Sequence, residues 1–188
     1  LILYEQFLIN ANKNLNLIGK STIHNIWIRH FLDSAQLIDF IDKNQKSLVD
    51  LGSGAGFPGL VLAIIAKDRK ISLKVKLIEK SPKKIKFLTN LIYKLSLDVE
   101  ILNANIFDLR CKIKQDLIVA RAFKPLEKIL ELMHKKVKNW KKIFIFLGKT
   151  GQNELLQASK NWDIKYKKRM SITSNDSFIV EINDFKKK

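Results

Sequence analysis

The chain has 188 residues, of which 46% are hydrophobic and 28% charged, and its formal net charge is +17. This length is enough to bury a sizeable core, and we expect one domain over residues 1–188. The longest apolar run, residues 60–66, is too short to span a bilayer, and nothing resembles a signal peptide, so we expect a cytoplasmic protein without membrane association. The single Cys111 excludes an internal disulfide framework and offers no zinc-site spacing, so we expect no bound metal.

The positive charge has two interpretations. Excess lysine and arginine attract polyanions such as nucleic acid, because phosphate contacts release condensed counterions. Alternatively, abundant Lys, Ile and Asn reflect an AT-rich genome, and composition leaves both interpretations open. The candidate RNA contacts are three basic clusters, namely Lys83, Lys84 and Lys86; Lys135, Lys136 and Lys138; and Lys165, Lys167, Lys168 and Arg169.

The N-terminal quarter of the chain shows helical periodicity. Residues 1–10 place apolar side chains on one helical face, and residues 10–17 are polar and turn-prone. Helical spacing resumes at Ile23 and continues to about residue 42. The pattern predicts a helical extension over residues 1–45, in which Asn12, Lys13 and Asn16 are candidate contacts to RNA or to a cofactor pocket.

From Ser47 onwards the pattern changes to strands that alternate with helices. Consecutive strand–helix units imply a parallel sheet with helices on both faces, and the turn at residues 173–176 predicts a final hairpin with an antiparallel strand. We expect a mostly parallel seven-stranded sheet flanked by helices over residues 46–185. The predicted strands are 47–51, 72–79, 98–102, 116–120, 142–147, 162–169 and 177–183, and the predicted helices are 58–67, 81–95, 125–139 and 152–160.

A glycine-rich turn follows the first predicted strand, in Asp50-Leu51-Gly52-Ser53-Gly54-Ala55-Gly56-Phe57-Pro58-Gly59. Such a turn brings bare backbone N–H groups and a helix N-terminus close to a ligand. A P-loop is excluded, because Gly19-Lys20-Ser21 and Gly148-Lys149-Thr150 both lack the glycine required five residues before the Gly-Lys pair.

Two ligand classes remain for this turn. Residues 54–59 formally match GxGxxG, a weak signal for a dinucleotide. However, Asp50 lies two residues before Gly52, and a carboxylate suits an amine-bearing ligand better than a pyrophosphate. The pattern Asp50-x-Gly52-x-Gly54 resembles the first motif of S-adenosylmethionine-dependent methyltransferases. Glu79 ends the second strand, where an acid accepts both ribose hydroxyl protons of either ligand.

Further strings allow a family to be identified. Asn12-Lys13-Asn14-Leu15-Asn16-Leu17, Ile28-Arg29-His30-Phe31-Leu32-Asp33-Ser34, the glycine turn and Arg121-Ala122 occur in that order. Together they resemble the RsmG (GidB) family of bacterial small-subunit rRNA methyltransferases. The resemblance implies a Rossmann-like class I methyltransferase fold, S-adenosylmethionine as cofactor, 16S rRNA or the small ribosomal subunit as partner, and methylation of a guanine N7. We expect a monomer.

The resemblance also implies site residues. Cofactor contacts are expected at Gly52, Phe57, Ile106, Phe107 and Arg121, and the motif adds Asp50, Gly54 and Glu79. Ile106-Phe107 departs from the family's usual Ala-Glu pair, so an acidic contact to adenine is in doubt. Arg121 is also a candidate catalytic residue, toward the methionine carboxylate or a substrate phosphate.

His30 and Asp33 are the other catalytic candidates, because they lie in the family string with Arg29 one turn away. Three roles are open for Asp33: a cap, a pair with Arg29, or a partner of the cofactor's ammonium group.

The absence of other motifs narrows the choice of methyl acceptor. The chain has neither the Asp/Asn-Pro-Pro-aromatic motif of base-amine methyltransferases nor the Pro-Cys nucleophile of cytosine-C5 enzymes, and Cys111 is expected to be an ordinary thiol. Guanine N7 fits, because its in-plane lone pair carries no proton and needs no general base. Two other functions stay open: an NAD-linked oxidoreductase, although no Tyr-x-x-x-Lys is evident, and a non-catalytic RNA-binding protein.

Overall fold

The computed structural model describes residues 1–110 and 112–188 and consists of a seven-stranded sheet with helices on both faces; Cys111 lies outside the described residues. The sheet order is β3-β2-β1-β4-β5-β7-β6. All neighbouring strands are parallel except β7, which is antiparallel to both β5 and β6. The strands are β1 (Ser47–Leu51), β2 (Lys74–Glu79), β3 (Val99–Asn103), β4 (Leu117–Arg121), β5 (Lys142–Leu147), β6 (Trp162–Met170) and β7 (Phe178–Lys187).

The topology brings several chain segments to one edge of the sheet. The carboxyl ends of β1, β2, β4 and β5 lie at this edge, because these strands are parallel and in register. Phe178, the first residue of β7, pairs with Leu147, the last residue of β5, so the turn between β6 and β7 lies at the same edge. The strand order reverses between β1 and β4, and ligands bind at such switch points in open α/β sheets.

Alternate residues of the central strands feed two apolar cores, one on each face of the sheet. Leu48 packs with side chains of α1, α3 and α4, whereas Val49 packs with side chains of α5 and α6. This alternation follows from the two-residue period of a strand. The helices are α1 (Ile2–Leu15), α2 (Asp33–Ala35), α3 (Gly59–Asp68), α4 (Pro82–Lys94), α5 (Leu126–Lys136) and α6 (Gly151–Asn161).

The N-terminal extension is helical, but its details differ from the prediction. Helix α1 continues through the polar stretch to Leu15, and the chain turns only at Asn16, where φ is +46°. Asn12 does not break the helix, because its buried amide bonds Ile18 N–H and C=O at 2.9 and 3.2 Å. After it come a 3₁₀ segment (Lys20–Asn25), a π-helical segment (Trp27–Leu32), α2 and a second 3₁₀ segment (Gln36–Phe40).

The other predicted elements are all present; β1 and β5 have the predicted bounds, and the ends of the others are shifted. Helix α5 ends at Lys136 instead of residue 139, because Val137 forms a parallel bridge to Ile113. Strand β7 continues to Lys187, since it pairs with β6 as far as Trp162. Ser81 is at the N-cap of α4, but its side chain makes no cap bond.

Candidate active site

The turn after β1 follows the backbone path that its glycines predict. Gly52, Gly54 and Gly56 have φ values of +69°, +57° and +100°, a region that side-chain-bearing residues rarely adopt. The N–H groups of Gly52 and Ser53 donate to Ile78 C=O at 2.9 and 3.1 Å, which ties the turn to β2. The turn is therefore held in one position at the switch point of the sheet.

Asp50 lies beneath this turn and is fully buried. Its Oδ2 accepts a hydrogen bond from Gly59 N–H at 2.8 Å, so it anchors the start of α3, while Oδ1 has no hydrogen-bond partner among the described residues. Burial raises the pKa of Asp50 to about 8, against the lowering effects of the Gly59 bond and of Arg121. Burial thus favours the protonated form of Asp50, which supports the turn from below.

Glu79 connects the turn to the loop after β2. Its Oε2 accepts from Gly54 N–H at 2.9 Å, and its Oε1 accepts from the N–H groups of Lys80 and Ser81, both at 2.8 Å. The side chain is only 7% exposed. A carboxylate that already accepts from three backbone donors is held rigidly, at the strand end where the sequence predicts a ribose contact.

A cavity of about 530 Å³, here called the cofactor cavity, lies above these residues. Its wall comes from the carboxyl ends of four strands. Of the predicted cofactor contacts, Gly52, Glu79, Ile106 and Phe107 line it. The other four do not: Asp50, Gly54, Phe57 and Arg121, of which Arg121 lines a smaller pocket beside it. The other lining residues are Ile78, Lys80, Lys84, Ala104, Asn105, Ala122, Phe123 and Lys124.

One wall of the cofactor cavity is aromatic. The rings of Phe107 and Phe123 are nearly parallel, at 16°, with centroids 6.1 Å apart, and Phe107 is 39% exposed. The ring of Phe123 also covers Gly52, because a Cβ at residue 52 would come within 2.3 Å of it. A side chain there would displace the ring of Phe123 and would also be strained by the φ of +69°. The apolar wall and the Glu79 carboxylate together suit a nucleoside, with an acid for ribose hydroxyls and apolar surface for a base.

Arg121, at the end of β4, is the centre of a polar network beside the cavity. Its Nε lies 3.3 Å from Asp33 Oδ2, its Nη2 donates to Arg29 C=O and lies 3.2 Å from His30 Nδ1, and its Nη1 donates to Ser34 Oγ. Burial lowers the pKa of Arg121, and the neighbouring Asp33 opposes that lowering. Most of its donors are therefore bound by groups of the protein.

His30 is held neutral in this network. Since a guanidinium only donates, Nδ1 of His30 accepts from Arg121, and Nε2 carries the proton that is donated to Thr22 Oγ1 at 2.8 Å. Thr22 in turn donates to Gly19 C=O at 2.7 Å. Burial, with the charges of Arg121 and Arg29, lowers the pKa of His30 to about 4. The structure thus places His30 as a support for Arg121.

Asp33 forms an ion pair with Arg121. The pair with Arg29, which was one of the roles left open by the sequence, is not formed. Its Oδ1 accepts from Gln36 Nε2 at 2.8 Å and from the hydroxyl groups of Ser171 and Thr173, both at 3.0 Å. Both carboxylate oxygens are therefore occupied. Asp33 connects the N-terminal helical segment to the end of β4 and to the turn before β7.

Phe57 belongs to an aromatic cluster that positions the glycine turn. Its ring is stacked on Tyr4 with centroids 5.3 Å apart, and Phe31 packs edge-on against both. The buried Tyr4 hydroxyl donates to Ala55 C=O at 2.6 Å. Sequence reasoning missed Tyr4, because its helical spacing marks it only as a core residue.

Sequence reasoning also missed three other residues of the site, namely Phe123, Ser171 and Thr173. Phe123 lies in the Arg121–Pro125 string, but only the fold shows that its ring reaches Gly52. Thr173 lies in the turn at residues 173–176, whose composition predicts a hairpin and nothing more, and Ser171 lies just before that turn. Their closeness to Asp33 depends on β7 returning to the same edge of the sheet.

Among residues 1–110 and 112–188, no three potential metal-ligating side chains of His, Cys, Asp or Glu gather into one group. Within the same residues, no helix is both long enough and apolar enough to cross a membrane.

The fold resembles those of solved methyltransferases. A methyltransferase from Aquifex aeolicus, described as SAM-dependent, superimposes with a TM-score of 0.63 at 17% identity, covering 92% of this chain and 97% of that one. M. capricolum TrmK, solved with S-adenosylhomocysteine, superimposes with a TM-score of 0.59 at 17% identity, covering 80% and 66%. At such identities the likeness shows the fold alone.

Sequence comparison is more specific. The family model described as rRNA small subunit methyltransferase G matches residues 1–180. The ribosomal RNA small subunit methyltransferase G of Pelagibacter ubique is 42% identical over 188 residues, which are 99% of this chain and 88% of the relative. The protein of the same name from Rickettsia felis is 34% identical over 185 residues, 98% and 92% of the two chains. With the glycine turn, Glu79 and Arg121 gathered at one edge of a methyltransferase fold, the chain belongs to the rRNA small subunit methyltransferase G (GidB) family.

Proposed function

We propose that this protein binds S-adenosylmethionine in the cofactor cavity and methylates N7 of a guanine in 16S rRNA. The observation that carries the proposal is the juxtaposition of the Gly52 turn with the Glu79 carboxylate in one cavity of about 530 Å³. Family membership supplies the reaction class, an rRNA small-subunit methyltransferase.

The residues of the cavity have separable tasks. Glu79 is placed to accept hydrogen bonds from ribose hydroxyls, while Ile106 and Phe107 offer apolar surface to the adenine. Gly52 borders the cavity without a side chain, which lets the ring of Phe123 pack directly on the backbone of the turn. When bound, S-adenosylmethionine supplies an electrophilic methyl group, and the protein aligns the acceptor and excludes water.

The groups beside the cavity fit a reaction that needs no base. Guanine N7 has an in-plane lone pair and carries no proton, so methylation requires no proton abstraction. His30 and Asp33 are hydrogen-bonded to protein groups and have positioning roles toward Arg121 in this proposal. Arg121 supports the junction between the N-terminal segment and the sheet edge, and it lines the smaller pocket beside the cofactor cavity.

The basic clusters differ in their availability to RNA. Arg169 is paired with the buried Glu181, and Lys168 lies over the ring of Phe178. In contrast, the side chains of Lys83, Lys84 and Lys86 form no ion pair with any described residue, and Lys84 lines the cofactor cavity. We therefore place the phosphate contacts of the rRNA at the first turn of α4.

The two alternative functions have less support. An NAD-linked oxidoreductase is not supported by family or fold relatives, and Glu79 and Gly54 are bonded to each other at the place where a dinucleotide fold would need free amides. A non-catalytic RNA-binding protein is not supported either, since the chain matches named methyltransferases over nearly its whole length. We further propose that the protein acts as a cytoplasmic monomer.

Two measurements test the proposal. Calorimetry should show that S-adenosylhomocysteine binds, that Gly52→Arg abolishes binding and that Gly148→Ala, whose added Cβ meets nothing within 4 Å, does not. Transfer from labelled S-adenosylmethionine to unmethylated small subunits, followed by mapping of the rRNA, should find 7-methylguanosine. Binding of NADH in place of the nucleoside, or a labelled position other than N7, would contradict the proposal.

A further inference from the structure

A second pocket, here called the hydroxyl pocket, lies beside the cofactor cavity at the same edge of the sheet. It measures about 250 Å³ and is lined from the ends of β4 and β5, the start of β7 and the turn between β6 and β7. Ala122 lines both spaces. Its lining includes Arg29, Asp33, Ala122, Phe146, Thr173 and Ser177. The pocket is smaller than the ~300–1,000 Å³ of sites for drug-sized ligands, which suits a single nucleobase.

The hydroxyl groups of Thr173 and Ser177 have hydrogen-bond acceptors within the protein, and Thr173 Oγ1 also lies 2.9 Å from Ser171 Oγ. Thr173 Oγ1 donates to Asp33 Oδ1 at 3.0 Å, and Asp33 accepts because its other oxygen faces the guanidinium of Arg121. Ser177 Oγ donates to Ser174 C=O at 3.4 Å. Each hydroxyl has one hydrogen and two lone pairs. When these hydroxyls donate to Asp33 and Ser174, each oxygen keeps a lone pair that can accept from a ligand, and both residues line the pocket.

Lone pairs of this kind select for a ligand with donors. The Watson–Crick edge of guanine carries two, the N1–H and the N2 amino group, whereas N1 of adenine is an acceptor. Guanine N7 lies on the other side of the purine. A guanine held by its N1–N2 edge against the β6–β7 turn therefore directs N7 outward, toward the wall at Ala122 that the hydroxyl pocket shares with the cofactor cavity.

We propose that the hydroxyl pocket binds the target guanine, extruded from the RNA, and that Thr173 and Ser177 accept hydrogen bonds from its N1–H and N2 amino groups. Enzymes that modify a base take it out of the stack and read its Watson–Crick edge in this way. Phe146 supplies an apolar wall, and the exposed Arg29 at the rim is placed for a phosphate of the extruded nucleotide. Asp33 is a positioning residue, since it orients Thr173. The inference rests on the proposed function and adds the acceptor site to it.

The test measures steady-state kinetics on unmethylated small subunits together with S-adenosylhomocysteine affinity. Thr173→Val keeps the shape of the side chain and removes the hydroxyl, and Ser177→Ala removes the second acceptor. Each should lower kcat/KM for the subunit by about tenfold or less, and the double variant by more, because each loses about one neutral hydrogen bond. Thr173→Ser should keep the wild-type value.

The affinity for S-adenosylhomocysteine should stay unchanged in all of these variants. Ser159→Ala is the matched control, since its hydroxyl bonds Leu155 C=O within α6, away from both spaces. A double variant with wild-type kcat/KM would overturn the acceptor site, and so would a loss of cofactor affinity equal to the loss of kcat/KM. Failure of the proposed function is distinguishable, since the wild-type protein itself would then methylate no guanine.

Discussion

Asp33 and Arg121 form a nearly buried ion pair, with Oδ2 3.3 Å from Nε and with side chains 12% and 17% exposed. The pair joins the N-terminal helical segment to the end of β4. Because Asp33 also accepts from Ser171 and Thr173, three separate chain segments meet at one carboxylate. The edge of the sheet that carries both pockets is therefore coupled to residues outside the sheet.

Asp33→Ala should destabilise the protein by about 3 kcal/mol. Removal of one partner leaves a largely buried guanidinium and two hydroxyls without their acceptor. Urea unfolding measures the effect. As a control, Lys128→Ala breaks the exposed Lys128–Glu131 pair and should cost less than about 0.5 kcal/mol. Equal losses in the two variants would contradict the assigned role of Asp33.

Gly52→Ala should weaken S-adenosylhomocysteine binding at least tenfold in calorimetry. The added Cβ lies 2.3 Å from the ring of Phe123, and φ at this residue is +69°. The double variant Gly52→Ala/Phe123→Ala removes the clash but not the backbone strain, so it should recover binding only in part. Gly148→Ala serves as the control. Full binding by the single variant would show that the turn tolerates a side chain.

Tyr4→Phe should cost about 1–3 kcal/mol of stability and also weaken cofactor binding. The change keeps the ring stack on Phe57 but leaves the buried Ala55 carbonyl without its donor. Thermal unfolding with and without S-adenosylhomocysteine measures both effects. Tyr93→Phe, at a residue that is 81% exposed, should change neither. A wild-type affinity for S-adenosylhomocysteine in Tyr4→Phe would show that cofactor binding at the glycine turn does not depend on the Tyr4 hydroxyl.

His30 should make the protein less stable as the pH falls from 6.5 toward 4. Its folded-state pKa is about 4 and its unfolded value is near 6.5, so between these values the unfolded chain binds more protons. The slope for this one group is at most about 1.4 kcal/mol per pH unit. His30→Gln should remove this part of the pH dependence of unfolding, whereas His24→Gln, at an exposed residue, should retain it.

Asp50 should have the opposite effect on the pH dependence of stability, and make the protein less stable as the pH rises. Its folded-state pKa of about 8 exceeds the ordinary 3.8, so the folded state binds more protons between these values and stability falls as the pH rises through them. Asp50→Asn keeps an oxygen for Gly59 N–H and should reduce the loss of stability between pH 5 and 8. Asp98→Asn, at an exposed residue, is the control. An unchanged pH profile in Asp50→Asn would show that Asp50 is ionised.

Much of the fold was predictable because its signals are local. The strand–helix alternation from Ser47 to Asn161 and the turn at Gly52 follow from short-range periodicity and glycine content, and the structure confirms the mostly parallel seven-stranded sheet. The ends of α1 and α5 were not predictable. The Asn12 amide bonds Ile18 just beyond α1, a local side-chain contact that residue propensities do not show. Val137 pairs with Ile113, a tertiary contact that overrides the local helix propensity.

The sequence by itself determined the family, the glycine turn and the acid at the end of β2, because each can be recognised from short stretches of neighbouring residues. Only the tertiary structure decided that Asp50 is buried beneath the turn, that Arg121 pairs with Asp33, and that Phe123 covers Gly52. The physical reason is that burial and pairing depend on which strands become neighbours. Residues far apart in the chain, such as Asp33 and Thr173, meet only when the parallel sheet brings its strand ends to one edge.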